Sequence, residues 1–191
     1  MMEINDVNTS ALSWKQPNAF RRAFELCWHD DVLATMEWEK PSGSLAVVRS
    51  AEGRWTVKRS GFLSPRVTAR VAGTDKEAAV FKPNWRGEGV LELDECRRFY
   101  WVQNDPYWGS RWAFRDELHR PILTVTLNDG LHNILKYEAF VDIDDAVARM
   151  PGLSLMAAMG WYVMVLSSGE SPHEDEPAAD QASRCLMPCR Q

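Results

Sequence analysis

Lys58, Arg59, Arg66 and Arg70 gather around Gly61-Phe62-Leu63, a combination suited to one kind of chemistry. Guanidinium and ammonium groups hold phosphate oxygens, and guanidinium planes also stack on aromatic rings. In that reading the four cations meet an anionic headgroup while Phe62 and Leu63 dip into a membrane interface. Arg97, Arg98, Arg111 and Arg115 follow on later segments. The competing reading is a solvated exterior with interspersed Glu and Asp, which a nearly neutral body charge favours.

Other constellations carry less. Cys27, His29, Asp30 and Asp31 are of metal-ligating type, but a structural zinc site needs a second Cys or His pair, and Asp30-Asp31 suits a tight turn between strands. Asp142, Asp144 and Asp145 lack the Gly-centred loop and closing Glu of a calcium site. Asp144 or Asp145 instead reads as the cap of a short helix, Ala146 to Met150. The chain has no G-x-S-x-G elbow, no phosphate loop of the G-x-x-x-x-G-K-[ST] type and no H-E-x-x-H. Its four histidines, at 29, 119, 132 and 173, are scattered. No catalytic residue, metal or cofactor is therefore assigned.

The elements that must position these residues come from 191 residues, 45% hydrophobic and 26% charged, with nine Trp. That length suits one core, and the rings need a large interior or a surface that uses them. The net charge of −5 is uneven. Glu170, Glu174, Asp175, Glu176 and Asp180 against Arg184 and Arg190 leave the last segment at −3. Neither part shows the basic excess of a nucleic-acid binder. Cys27, Cys96, Cys185 and Cys189 have no framework spacing, and the first 30 residues have no signal-peptide apolar stretch, so a reducing, cytoplasmic setting is expected.

From Phe20 to Val141, short alternating segments end in turn residues every 8 to 14 positions or so, which reads as all-β. Eleven strands are expected: Ala23 to Trp28, Val32 to Trp38, Leu45 to Arg49, Arg54 to Arg59, Arg66 to Val71, Glu77 to Lys82, Val90 to Leu93, Arg98 to Gln103, Arg111 to Arg115, Ile122 to Leu127 and Ile134 to Val141. Trp55, Val57 and Arg59 share one face, and Val67, Ala69 and Val71 oppose Arg66, Thr68 and Arg70. Eleven or twelve antiparallel strands hide their edges most simply by closing into a barrel. A barrel of that size has a bore to fill. Leu153 to Leu166 (LSLMAAMGWYVMVL) has no polar stripe at any helical angle, and a helix apolar all round must be buried all round. At about 21 Å it is also shorter than the roughly 30 Å core of a bilayer. The expected fold is thus a closed antiparallel β-barrel around this C-terminal helix. Residues 1–13 read as a flexible N-terminus, 14–168 as the barrel with its helix, and 169–191 as a disordered acidic tail.

Several motifs run in order: Gly53-Arg54-Trp55, Arg59-Ser60-Gly61-Phe62, Phe81-Lys82-Pro83-Asn84-Trp85-Arg86-Gly87-Glu88-Gly89, Trp112-Ala113-Phe114-Arg115-Asp116, and Gly160-Trp161-Tyr162 in the final helix. With a barrel threaded by a C-terminal helix, this order resembles the tubby C-terminal-like superfamily, which includes tubby, LURP-one-related and phospholipid scramblase proteins. It is also similar to small bacterial proteins of unknown function associated with that superfamily. The resemblance covers most of Ala23 to Leu166. For tubby proteins it implies phosphoinositide-headgroup binding on the barrel surface, and for scramblases an association with membranes. The basic headgroup ligands of tubby do not match positions here residue by residue, and the scramblases' palmitoylation cluster and adjoining membrane-spanning helix have no counterpart, so no family site is carried over.

The expectation is a non-enzymatic binding domain, with an anionic lipid, a membrane surface or a protein as partner and no nucleic acid. Lys58, Arg59, Arg66 and Arg70 stand as anion ligands, and Phe62 and Leu63 as membrane contacts. The alternatives are a structural or protein-interaction module with no small ligand, and a hydrolase-like enzyme with an unrecognised site.

Overall fold

Alternating strands joined by turns of Gly, Asn and Asp pair with their sequence neighbours, and in this chain the series closes on itself. The computed structural model describes residues 4, 11–61, 64–94, 96–104, 111–128 and 138–169. Twelve strands run β1 (Leu12–Lys15), β2 (Ala23–Trp28), β3 (Asp31–Trp38), β4 (Leu45–Ser50), β5 (Gly53–Ser60), β6 (Arg66–Val71), β7 (Glu77–Pro83), β8 (Gly89–Leu93), β9 (Arg97–Gln103), β10 (Arg111–Arg115), β11 (Pro121–Leu127) and β12 (Glu138–Ile143). Every neighbour pair is antiparallel. The seam is β1 on β12, with Leu12 opposite Val141 and Lys15 opposite Glu138.

Most strand ends fall within one residue of those read in the sequence and the final helix ends at Gly169 rather than Leu166, but two differences are larger. Leu12 and Ser13, assigned to the loose N-terminus, belong to β1, and Ile4 is buried. A four-residue strand is too short to show a period, yet without it β2 and β12 would expose unpaired edges. The last strand is Glu138–Ile143 rather than Ile134 to Val141, of which residues 134–137 lie outside the described residues. The acidic segment from 170 onward also lies outside them.

A 3₁₀ turn at Asp145–Val147 follows β12, capped by Asp144, whose Oδ1 accepts from the Ala146 N–H at 2.8 Å. The helix α1 (Leu153–Gly169) comes next, and every residue from Leu153 to Val165 is buried. Its contacts lie on opposite walls of the barrel. Trp161 stacks on Trp14 of β1 (5.8 Å between ring centres) and meets Phe24 of β2 edge-on, while Tyr162 stacks on Trp38 of β3 at 5.3 Å. On the far side Gly160 faces β9 and β10. A Cβ there would sit 3.0 Å from Phe114 Cε2 and 3.1 Å from Trp101 Cζ3, so any side chain would make these rings give way by a few tenths of an ångström. α1 therefore fills the bore, and each large apolar side chain it buries contributes about 1.5 to 3 kcal/mol.

The up-and-down path sorts the connections between two ends. Residues 29–30, 51–52, 72–76, 94, 96, 116–120 and 144–152 lie at the end where α1 begins, here called the capped end. There the Glu52 carboxylate accepts from the Gly152 N–H (2.9 Å), the Ser154 N–H (3.1 Å) and the Ser154 hydroxyl (2.7 Å). It thereby satisfies helix N–H groups that have no partner within the helix and places negative charge at the positive end of the dipole. Residues 16–22, 39–44, 61, 64–65, 84–88, 104 and 128 lie at the other end, the mouth, where α1 finishes.

Candidate functional site

The side-chain alternation of β5 and β6 decides which basic residues meet. Ser60 lies opposite Arg66, Lys58 opposite Thr68 and Thr56 opposite Arg70, and all six point outward. With Leu45 of β4 they line an open groove of ≈ 360 Å³ on the barrel flank. Three of the four anion ligands expected from the sequence, Lys58, Arg66 and Arg70, come together here.

The fourth does not. Arg59 sits on the inward face with Trp55 and Val57 and lines clefts at the mouth. Its backbone N–H donates to the Tyr162 hydroxyl at 3.0 Å, and that hydroxyl donates in turn to the Ser44 carbonyl. The period-two rule excludes Arg59 from a site built on Lys58. Burial pushes the Tyr162 hydroxyl up to about 12, with the bonds to Arg59 and Ser44 acting in the opposite direction. Phe62 and Leu63 lie outside the described residues.

Within the groove the three cations differ. Arg70 pairs with Glu77 at 3.4 Å and with Asp75 at 3.8 Å. Lys58 and Arg66 are exposed, and neither has an ion-pair partner among the described residues. On the neighbouring strands the pattern is different: Lys82 of β7 meets Glu92 of β8 at 2.7 Å, and that hydrogen bond holds the Glu92 carboxyl below the usual carboxylate range. Between the two unpaired cations lies Thr68, only 7% exposed, whose Oγ1 is buried with no hydrogen-bond partner. A hydroxyl in that position costs about 1 to 3 kcal/mol unless something completes it. Sequence reading placed Thr68 on the outer face but gave no reason to single it out.

Sequence reading gave no role to Phe20 or Trp85. Phe20 is 96% exposed and Trp85 86% exposed, in connections 16–22 and 84–88. Arg22 Nη1 donates to the Pro41 carbonyl at 3.3 Å and its guanidinium lies 4.5 Å over the Trp38 ring, while that of Arg86 lies 4.6 Å over the Trp85 ring. A cleft of ≈ 600 Å³ runs from Phe20 and Arg21 past Arg59 to Val165 and Leu166. A second, of ≈ 310 Å³, joins Arg59 and Leu166 to Phe81 and Trp85. The signal available in the sequence was Phe20-Arg21-Arg22 and Trp85-Arg86, each an aromatic beside arginine inside a turn.

Comparison with models of protein families, with curated proteins and with solved structures finds no match to this chain. Chemistry must therefore be argued from the side chains in place. Cys27 is buried in β2 and its thiol is pushed up, first by desolvation. His29 and Asp30 form the β2–β3 turn, with His29 at a φ of 53°. Among the described residues no group of three His, Cys, Asp or Glu is arranged to hold a metal ion, and no helix is long and apolar enough to cross a membrane.

Proposed function

We propose that this barrel is a non-enzymatic binding domain of the tubby-like type that holds an anionic phosphate-bearing headgroup in the groove of β4, β5 and β6. The observation that carries the reading is the pair of cations, Lys58 and Arg66, that have no carboxylate partner among the described residues and flank a buried Thr68 hydroxyl that has no hydrogen-bond partner there. A phosphate offers several strong acceptor oxygens. One accepts from the Lys58 ammonium, a second from the Arg66 fork, and a third completes the Thr68 hydroxyl. Arg70, already paired with Glu77, adds field rather than a free fork. Each cation near an anionic surface contributes about 1 kcal/mol, screened over a Debye length of about 8 Å at physiological salt, so binding is modest and falls with salt.

The test is calorimetric titration with a soluble inositol polyphosphate at low and high salt. Lys58→Ala/Arg66→Ala abolishes the heat, while Arg59→Ala, which alters the mouth, leaves it. Thr68→Val separates a ligand site from ordinary structure. It removes the orphan hydroxyl, so the folded state keeps or gains stability, and binding weakens. Native-like binding by Lys58→Ala/Arg66→Ala, or no binding by the native chain at low salt, would leave the protein-interaction module as the better account.

A further inference from the structure

The two ends of the barrel carry opposite charge. Among the described residues, connections at the capped end contain eight carboxylates against Lys76, Arg120 and Arg149, a net of −5. Those at the mouth contain Arg21, Arg22, Lys40 and Arg86 against Glu39 and Glu88, a net of +2 among the described residues. An anionic plane thus repels one end and tolerates the other. The mouth also presents Phe20 and Trp85, which stand on two different connections at separate clefts that share Arg59 and Leu166. Arg21 adjoins Phe20 in sequence, and Arg86 lies over the Trp85 ring.

From this geometry we infer that the mouth is the face that meets an anionic lipid surface. Phe20 and Trp85 seat among the headgroups, Arg21 and Arg86 lie at phosphate level, and the axis of α1 points into the membrane plane with its C-terminal end leading. The inference rests on the reading that the headgroup in the flank groove belongs to a lipid. Lipid fits better than a rigid protein epitope because the two rings stand on separate tips with clefts between them rather than forming one continuous apolar patch. Fluid headgroups fill such a surface without a matching shape. Aromatic rings with one wet edge and arginines with long apolar stems are the side chains suited to a bilayer interface. The groove lies compatibly, since Ser60 and Arg66 are the ends of β5 and β6 nearest the mouth.

The experiment compares the native chain, Phe20→Ser/Trp85→Ser and Lys58→Ala/Arg66→Ala. Each is tested for co-sedimentation with phosphatidylcholine vesicles with and without phosphatidylserine, and for calorimetric binding of soluble inositol polyphosphate. The aromatic variant is expected to lose about tenfold in partition to the anionic vesicles, equivalent to about 1.4 kcal/mol, with its thermal midpoint and soluble-ligand affinity unchanged. Vesicles with brominated acyl chains should quench native emission more than that of Trp85→Phe. Equal vesicle binding by native and aromatic variant overturns the inference, as does binding of the soluble headgroup without any vesicle binding. If vesicle binding depends on Phe20 and Trp85 while soluble headgroup does not bind, the mouth stands and the groove reading fails.

Discussion

The capped end and the mouth are built from the same strands and the same helix, yet they are finished differently. At the capped end Glu52 makes three hydrogen bonds to the start of α1, Arg97 pairs with Asp94 and donates to the Pro151 carbonyl, and Arg120 pairs with Asp116. The hydrogen bonds from Arg120 and Leu118 hold the Asp116 carboxyl below its usual range despite some desolvation. At the mouth, aromatic rings stand in solvent, clefts surround the last turn of the helix, and Arg21, Lys40 and Arg86 have no ion-pair partner among the described residues. The capped end uses Glu52 and Arg97 to hold the start of the helix, whereas the mouth exposes Phe20 and Trp85 beside the helix end. Stability should therefore respond to substitutions in the bore and at the capped end, and binding to substitutions at the mouth and flank.

The strongest challenge lies midway between the ends. Gly160→Asp puts a carboxylate against Phe114 and Trp101 with neither space nor counter-charge. An unpaired buried charge costs enough to unfold a domain whose whole stability is about 5 to 15 kcal/mol. The variant is expected to be insoluble or to lose its near-ultraviolet circular dichroism. A soluble, native-like Gly160→Asp would place α1 outside the bore and remove both ends from the argument.

At the capped end, Glu52→Ala leaves the Gly152 and Ser154 N–H groups without acceptors and is expected to cost about 1 to 3 kcal/mol in urea unfolding. Tyr162→Phe gives a comparable comparison near the mouth, because it strands the Arg59 N–H and the Ser44 carbonyl. It should cost about 1 to 2 kcal/mol. Tyr162 also adds a pH signature. Burial raises its hydroxyl pKa to about 12, above the ordinary tyrosine value of about 10, so the folded state resists ionisation that the unfolded state undergoes. The associated stability is full below about pH 10 and is lost as pH rises toward about 12. Tyr162→Phe should show a shallower alkaline loss over that window. Phe20→Ser/Trp85→Ser should not shift the urea midpoint at all, and a loss there as large as that of Glu52→Ala would erase the distinction between the ends.

These differences were unevenly legible in the sequence. The barrel and its plug could be read because each rests on a long pattern: alternation through segments such as Trp55, Val57 and Arg59, and a helix with no polar face from Leu153 onward. β1 could not, since Leu12–Lys15 is too short to show a period and is fixed by pairing with Glu138–Val141, far along the chain. The basic cluster was found by proximity in sequence, but alternation sends Arg59 inward and Lys58 outward, so nearness along a strand misled at one position in four. The Thr68 hydroxyl became noticeable only once its surroundings were known. Phe20 and Trp85 were hidden for the opposite reason: a large apolar residue is read as core until the fold shows it in solvent.

The smallest expected effect concerns the segment that follows α1. Gly169 ends the helix at the mouth, and the next residues contain Glu170, Glu174, Asp175, Glu176 and Asp180 against Arg184 and Arg190. Their net charge of −3 is carried by the segment that begins one residue past the end of α1 at the mouth. Like charge near an anionic surface opposes binding, and because salt screens it, the penalty is expected to be well below the roughly 1 kcal/mol per charge available at contact. A chain stopped at Gly169 should keep its thermal midpoint, since the segment's composition offers no core contacts. It should bind phosphatidylserine vesicles a few-fold more tightly than the full chain at low salt, and the advantage should vanish at high salt as the Debye length shrinks to about 3 Å. Soluble inositol polyphosphate, held in the flank groove rather than across the mouth, should gain less. If truncation lowers the midpoint by several degrees, the segment docks on the barrel and the mouth is a partly occupied face. If it weakens vesicle binding, the carboxylates do not lie near the approaching surface, and the capped end or the flank becomes the better candidate for contact.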